Sequence, residues 1–133
     1  MWPMKRSRGR SKVCGLGLDL CDIARIRRAM SHTPRFCQRI LGEREYAQLA
    51  ARGFPAQSVA ASFAAKEAFA KAMGTGLRGF SLREVQLLRN AAGAPELHLS
   101  GAAAKLAAGL TFAVSVSHTK DVAAVVVLGE KGD

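Results

Sequence analysis

The chain has 133 residues, with 20 Lys and Arg against 10 Asp and Glu, and a formal net charge of +10 at pH 7. That length fits one domain and can bury ~68% of the surface its unfolded form exposes, so folding needs no disulfide or metal staple. Cys14, Cys21 and Cys37 are odd in number and form no Cys-x-x-Cys pair, which argues against a disulfide framework and a zinc site and for a reducing, cytoplasmic setting; no run of about 18 apolar residues offers a membrane span.

Residues 1–12 read as a basic, disordered tail: Lys5, Arg6, Arg8, Arg10 and Lys12 precede the first acid, Asp19, and no apolar signal core follows. Residues 13–133 read as a single domain. Its excess positive charge suits a polyanion, whether nucleic acid, a phosphorylated cofactor or an acidic protein. One Trp and one Tyr, without basic-aromatic interleaving, count against nucleic acid.

Val13–Leu20 reads as a short strand. Val13, Gly15, Gly17 and Asp19 share a nearly bare face that a ligand or another backbone could approach. Cys14, Leu16, Leu18 and Leu20 share an apolar face expected to be buried. Gly-x-Gly inside a strand, without a third glycine, is no dinucleotide fingerprint. Asp19 is either a functional carboxylate or the cap of the next helix, a job for which Asp22 competes. Residues 23–31 form an amphipathic helix, with Ile23, Ile26 and Met30 inside and Arg25 and Arg28 outside. That basic face is either merely solvated or a docking surface for an acidic partner.

After Pro34, a second helix runs from Phe36 through Leu49 to Gly53 and Pro55. The central helix starts near Ala56 and ends at Met73, where Gly74 and Gly76 stop it. On it Phe63, Glu67, Ala70, Lys71 and Gly74 fall on one side. Glu67 and Lys71 are either a surface ion pair or a Mg2+-binding carboxylate with a phosphate-binding lysine behind it.

Residues 84–88 and 96–99 read as a hairpin. Ser100 caps a short alanine-rich helix closed by Gly109. Residues 111–118 alternate, with Phe112, Val114, Val116 and His118 on one face, and 122–128 return as an apolar, central strand. His118 is a structural residue or a displayed reactive group beside a turn.

Three segments, Gly15-Leu-Gly-Leu-Asp19, Phe63-Ala-Ala-Lys-Glu-Ala-Phe-Ala-Lys-Ala-Met-Gly-Thr-Gly76 and Val114-Ser-Val-Ser-His-Thr119, together resemble the holo-acyl-carrier-protein synthases, small 4′-phosphopantetheinyl transferases. Phe36–Leu41 resembles that family's Phe-x-x-Arg-Ile-Leu stretch. The resemblance implies an α+β protomer with a small antiparallel-rich sheet packed against the long central helix and shorter helices. It implies transfer of 4′-phosphopantetheine from coenzyme A to a serine of apo acyl carrier protein, in lipid biosynthesis, with release of adenosine 3′,5′-bisphosphate. Asp19 and Glu67 match the Mg2+ ligands.

Lys71, Lys66 and the backbone of Gly74, Thr75 and Gly76 are candidate phosphate donors. Ser117, His118 and Thr119 match the coenzyme A segment. The serine needs a base: Glu67 acting through a water on the metal is the first choice, His118 the second. Arg25, Arg28, Arg35 and Phe36 match the carrier-docking positions. The resemblance also implies a homotrimer with active sites between subunits. Two features depart from the family: the basic tail, and Ser62 where an arginine is usual, a phosphate contact that Arg52 could supply. Rival readings are a basic nucleic-acid-binding module, which leaves the three motifs unexplained, and a catalytically inactive relative.

Overall fold

The computed structural model describes residues 12–132. The tail residues Lys5, Arg6, Arg8 and Arg10 therefore lie outside the described residues. Strand β1 (Val13–Asp22) leads into α1 (Ile23–His32), α2 (Phe36–Ile40), α3 (Glu43–Ala51) and the long α4 (Ala56–Met73). A single 3-10 turn (Leu82–Glu84) then opens the hairpin β2 (Val85–Arg89) and β3 (Pro95–Leu99), followed by α5 (Gly101–Leu106), β4 (Leu110–His118) and β5 (Val122–Lys131). The fold is α+β. One sheet has the order β1-β5-β4 and is antiparallel throughout; β2 and β3 form a separate antiparallel pair.

The expected all-apolar strand is the central one, β5. Its inward side chains Ala123, Val125 and Val127 are completely buried, each valine contributing roughly 1.5–3 kcal/mol. Cross-strand pairing extends this inner face sideways through Gly17↔Val127↔Val114 and Asp19↔Val125↔Val116. Helix α4 lies across it on alanines 60, 64, 65 and 68, all with no exposed surface.

That packing corrects the expected orientation of β1. The bare face turns inward, and what approaches it is backbone. A Cβ on Gly17 would stand 1.8 Å from the Ala68 carbonyl oxygen, and one on Gly15 2.1 Å from that of Ala72, distances no side chain tolerates. The face expected to be buried points out instead: Leu16, Leu18 and Leu20 are 64%, 57% and 64% exposed. The glycines let helix and strand touch directly, and that contact occupies the only inward side available to β1.

The single helix expected from Phe36 to Leu49 is two. Leu41 leaves helical geometry and Gly42 starts α3, with the Glu45 side chain accepting from the Gly42 N–H at 3.0 Å. Ser100 makes no side-chain cap on α5; the Glu84 carboxylate accepts from Ala102 N–H at 2.9 Å in its place. Helix α3 also covers the free edge of β2. Glu45 accepts from Leu87 N–H, while Gln48 accepts from Arg89 N–H and donates to its carbonyl. An edge satisfied by side chains offers no pairing template to another chain.

Candidate active site

Asp22 is the residue that caps α1, its carboxylate accepting from Ala24 N–H at 3.1 Å. Asp19 is thereby free of that role. Being on the inward face of β1, it points toward α4, where Lys71 donates to Asp19 Oδ1 at 2.8 Å and to the Leu18 carbonyl at 3.0 Å. Asp19 Oδ2 is buried and has no partner. Glu67 lies one turn before Lys71 on the same side of α4 and faces Asp19 within hydrogen-bonding reach. Ionised carboxylates only accept, so two of them cannot satisfy one another.

This arrangement raises the Glu67 carboxyl above its ordinary value. Burial is the largest cause and the charge of Asp19 the next, opposed by Arg25 and Lys71. The Lys71 ammonium is held above its usual value by its hydrogen bond to Asp19 and by that charge. The same negative charge reaches Cys21, the next inward residue of β1. Burial first, then Glu67, Asp19 and Asp22, push its thiol up to about 11 against the pull of Arg25.

Two facing carboxylates with one orphaned buried oxygen form a donor set for a hard cation such as Mg2+, which needs oxygen ligands and keeps several positions for water or phosphate. Among the described residues no third His, Cys, Asp or Glu joins them. The remaining ligands of such a cation would come from elsewhere.

Lys66 belongs to a different place. It is buried, and its ammonium donates to Glu45 Oε1 at 2.7 Å and to the Val85 carbonyl. Burial pushes it below its usual value, and Glu45 pulls it back up. Its donors are consumed inside the molecule, so its expected phosphate role is corrected: it ties α4 to α3 and β2. Glu45, which sequence reasoning passed over, is the other half of that clamp.

The Gly74-Thr75-Gly76 expectation also changes. Gly74 takes the left-handed cap position at φ +71, and the Gly74 and Thr75 N–H groups bond back to carbonyls of Lys71 and Ala70. Those two donors finish α4 at its C-terminal, negative end and are not presented to a phosphate.

Ser117, His118 and Thr119 are exposed at the end of β4. His118 pairs through Ala123 with Cys21, so it lies on the site's face of the sheet but about 10 Å from β1, two strand spacings away. Within one chain it is not brought to the carboxylate pair. Arg25 and Arg28 are exposed on α1, Arg35 is exposed at φ +59, and Phe36 is half-buried against the core.

A cavity of about 340 Å³ opens between α3, the start of α4 and the β2–β3 hairpin. Arg52, Ser62, Arg89 and Asn90 line it, so Ser62 and two guanidinium-bearing residues share one space. Glu67 lies five residues beyond Ser62, about 7.5 Å along the helix axis. Among the described residues no helix is long and apolar enough to cross a membrane.

Residues 15–126 match the family model of the 4′-phosphopantetheinyl transferase superfamily. The holo-[acyl-carrier-protein] synthase of Clostridium beijerinckii is 40% identical over 111 residues, covering 82% of this chain and 90% of that protein. Among solved structures, the Neisseria meningitidis holo-[acyl-carrier-protein] synthase superposes with a TM-score of 0.81 at 35% identity, over 90% of this chain and 99% of that one. The Bacillus anthracis synthase in complex with CoA (3′,5′-ADP) gives 0.75 at 30% identity, over 90% and 98%.

Proposed function

This chain belongs to the 4′-phosphopantetheinyl transferase superfamily, and from that premise we infer that it is a holo-acyl-carrier-protein synthase, moving 4′-phosphopantetheine from coenzyme A to a serine of apo acyl carrier protein. The serine oxygen bonds to the phosphorus that bears the pantetheine arm. The bond from that phosphorus to the bridging oxygen of the diphosphate breaks, and adenosine 3′,5′-bisphosphate leaves with that oxygen. The observation that carries the reading is the Asp19–Glu67 pair, with Asp19 Oδ2 buried and unpartnered, inside a chain matched by the family along most of its length.

Asp19 and Glu67 would hold Mg2+. When bound, the ion neutralises charge on the diphosphate and on the leaving group. Lys71 adds a flexible point charge on the same side of the helix. Glu67, acting through an intervening water, is the favoured acceptor of the serine proton, since it faces Asp19 at the place where the reacting phosphate would be held. Arg52 and Arg89, which line the same cavity as Ser62, are suited to the phosphorylated nucleotide end of the coenzyme and would stand in for the arginine usual at position 62.

The outward Leu16, Leu18 and Leu20 support a homotrimer, since a contiguous exposed apolar face marks an interface. A site between subunits would let the Ser117–Thr119 segment of one copy reach the carboxylates of the next. Arg25, Arg28, Arg35 and Phe36 form the surface for the acidic carrier. A cytoplasmic location fits three free cysteines.

The test is the intact mass of apo acyl carrier protein after incubation with the chain, coenzyme A and Mg2+, beside an EDTA control and Glu67→Ala. A gain of one phosphopantetheine arm, lost in both controls, is expected; no gain with several carriers would sink the reading. Arg25→Glu is expected to weaken carrier binding about tenfold and leave coenzyme A binding nearly intact, measured in separate titrations.

A further inference from the structure

Lys71 does two jobs that cannot be done at once. Its ammonium now bonds Asp19 Oδ1 and the Leu18 carbonyl, while the reading above needs Asp19 for a cation and Lys71 for the diphosphate. A cation settling between Asp19 and Glu67 would meet an ammonium 2.8 Å from one of its ligands, and like charges at that range repel. The two partners differ in freedom. The Lys71 side chain is 57% exposed and Asp19 11%, so the lysine is the member that can leave. Its four-carbon stem can swing outward without opening the core, and an ion pair with one partner mostly in water costs little to break.

We propose that Lys71 is an exchange ligand: it holds the Asp19 carboxylate while the site is empty and passes to the coenzyme diphosphate when cation and coenzyme arrive together. Resting on the transferase reading, this adds a property that reading does not require. The cation alone binds against Lys71, and the coenzyme alone must draw Lys71 from its carboxylate. Each therefore helps the other bind, and by the same factor, because coupling between two sites is reciprocal. The chain selects the cation–coenzyme complex over either component.

The experiment is calorimetric titration of the full chain with Mn2+, with and without saturating coenzyme A, for wild type, Lys71→Met and Lys71→Gln. Removing the ammonium should tighten Mn2+ binding in the absence of coenzyme about tenfold, and weaken coenzyme A binding in the presence of Mn2+. The coupling factor should fall by at least the same tenfold. Adenosine 3′,5′-bisphosphate, which lacks the diphosphate, should not reproduce the coupling in wild type. If both variants bind Mn2+ alone no more tightly than wild type, Lys71 is a fixed support of Asp19 and the exchange is wrong. If wild type binds no Mn2+ even with coenzyme A, or Asp19→Asn binds it as well as wild type, the site assignment itself fails.

Discussion

Lys66 and Lys71 lie little more than a turn apart on α4, and each meets a carboxylate, at 2.7 and 2.8 Å. The first pair has no exposed side-chain surface; the second leaves the lysine mostly in water. In the buried pair the ammonium donates to Glu45 and to the Val85 carbonyl, and Glu45 in turn answers Gly42 and Leu87. In the open pair one carboxylate oxygen is left over. Two identical residue types on one helix thus become a clamp and a site, and the difference lies in whether the surroundings complete the hydrogen bonding.

Breaking the clamp should have the largest effect. Lys66→Met strands the Glu45 charge in the interior and is expected to cost about 3–5 kcal/mol in urea unfolding. A double change, Lys66→Met with Glu45→Met, should recover only part, because the Gly42 and Leu87 N–H groups lose their acceptor. Breaking the site should act on rate and spare the fold. Asp19→Asn is expected to slow transfer at least about 100-fold while shifting stability by no more than about 1 kcal/mol. A similar loss of both would erase the distinction between clamp and site.

Cys21 reports on the open pair from alongside. Its folded value, pushed up to about 11, lies above the ordinary 9.0, so the unfolded chain gives up its thiol proton first. Stability present below pH 9 is therefore lost as pH climbs toward 11. Wild type should lose about 2 kcal/mol more than Cys21→Ala across that window, as melts at stepped pH would register. Mg2+ should shrink the difference, because it offsets the carboxylate charge behind part of the shift. The smallest effect is expected from Lys71→Met, whose melting curve should overlay that of wild type; a fall like that of Lys66→Met would make the open pair a second clamp.

Much of this was readable in the residues. Pro55 and Gly74 bracket α4, and its ends at Ala56 and Met73 coincide with the sequence reading. The apolar run of 122–128 is the central strand β5, paired with β1 on one side and β4 on the other, with Ala123, Val125 and Val127 turned into the core. The fate of Lys66 was readable too, though it was missed. Val59, Ser62, Lys66 and Phe69 recur at helical spacing on the apolar stripe, and all are buried. Its partner was not readable, since Glu45 comes from a different helix and no local spacing links them. The facing of β1 was misread for another reason: alternation tells which residues share a face, and the glycines, which looked bare, were the ones allowing the helix in.

That glycine contact also sets how the molecule should fail. Where side chains separate two elements, warming loosens rotamers and lets the gap drift before the elements part. Between Gly15, Gly17 and α4 nothing intervenes to soften, so the spacing of the two backbones that carry Asp19 and Glu67 is set by direct backbone contact. Cation affinity and tertiary structure should vanish in one cooperative step on heating, with no warm, folded, cation-blind state between them.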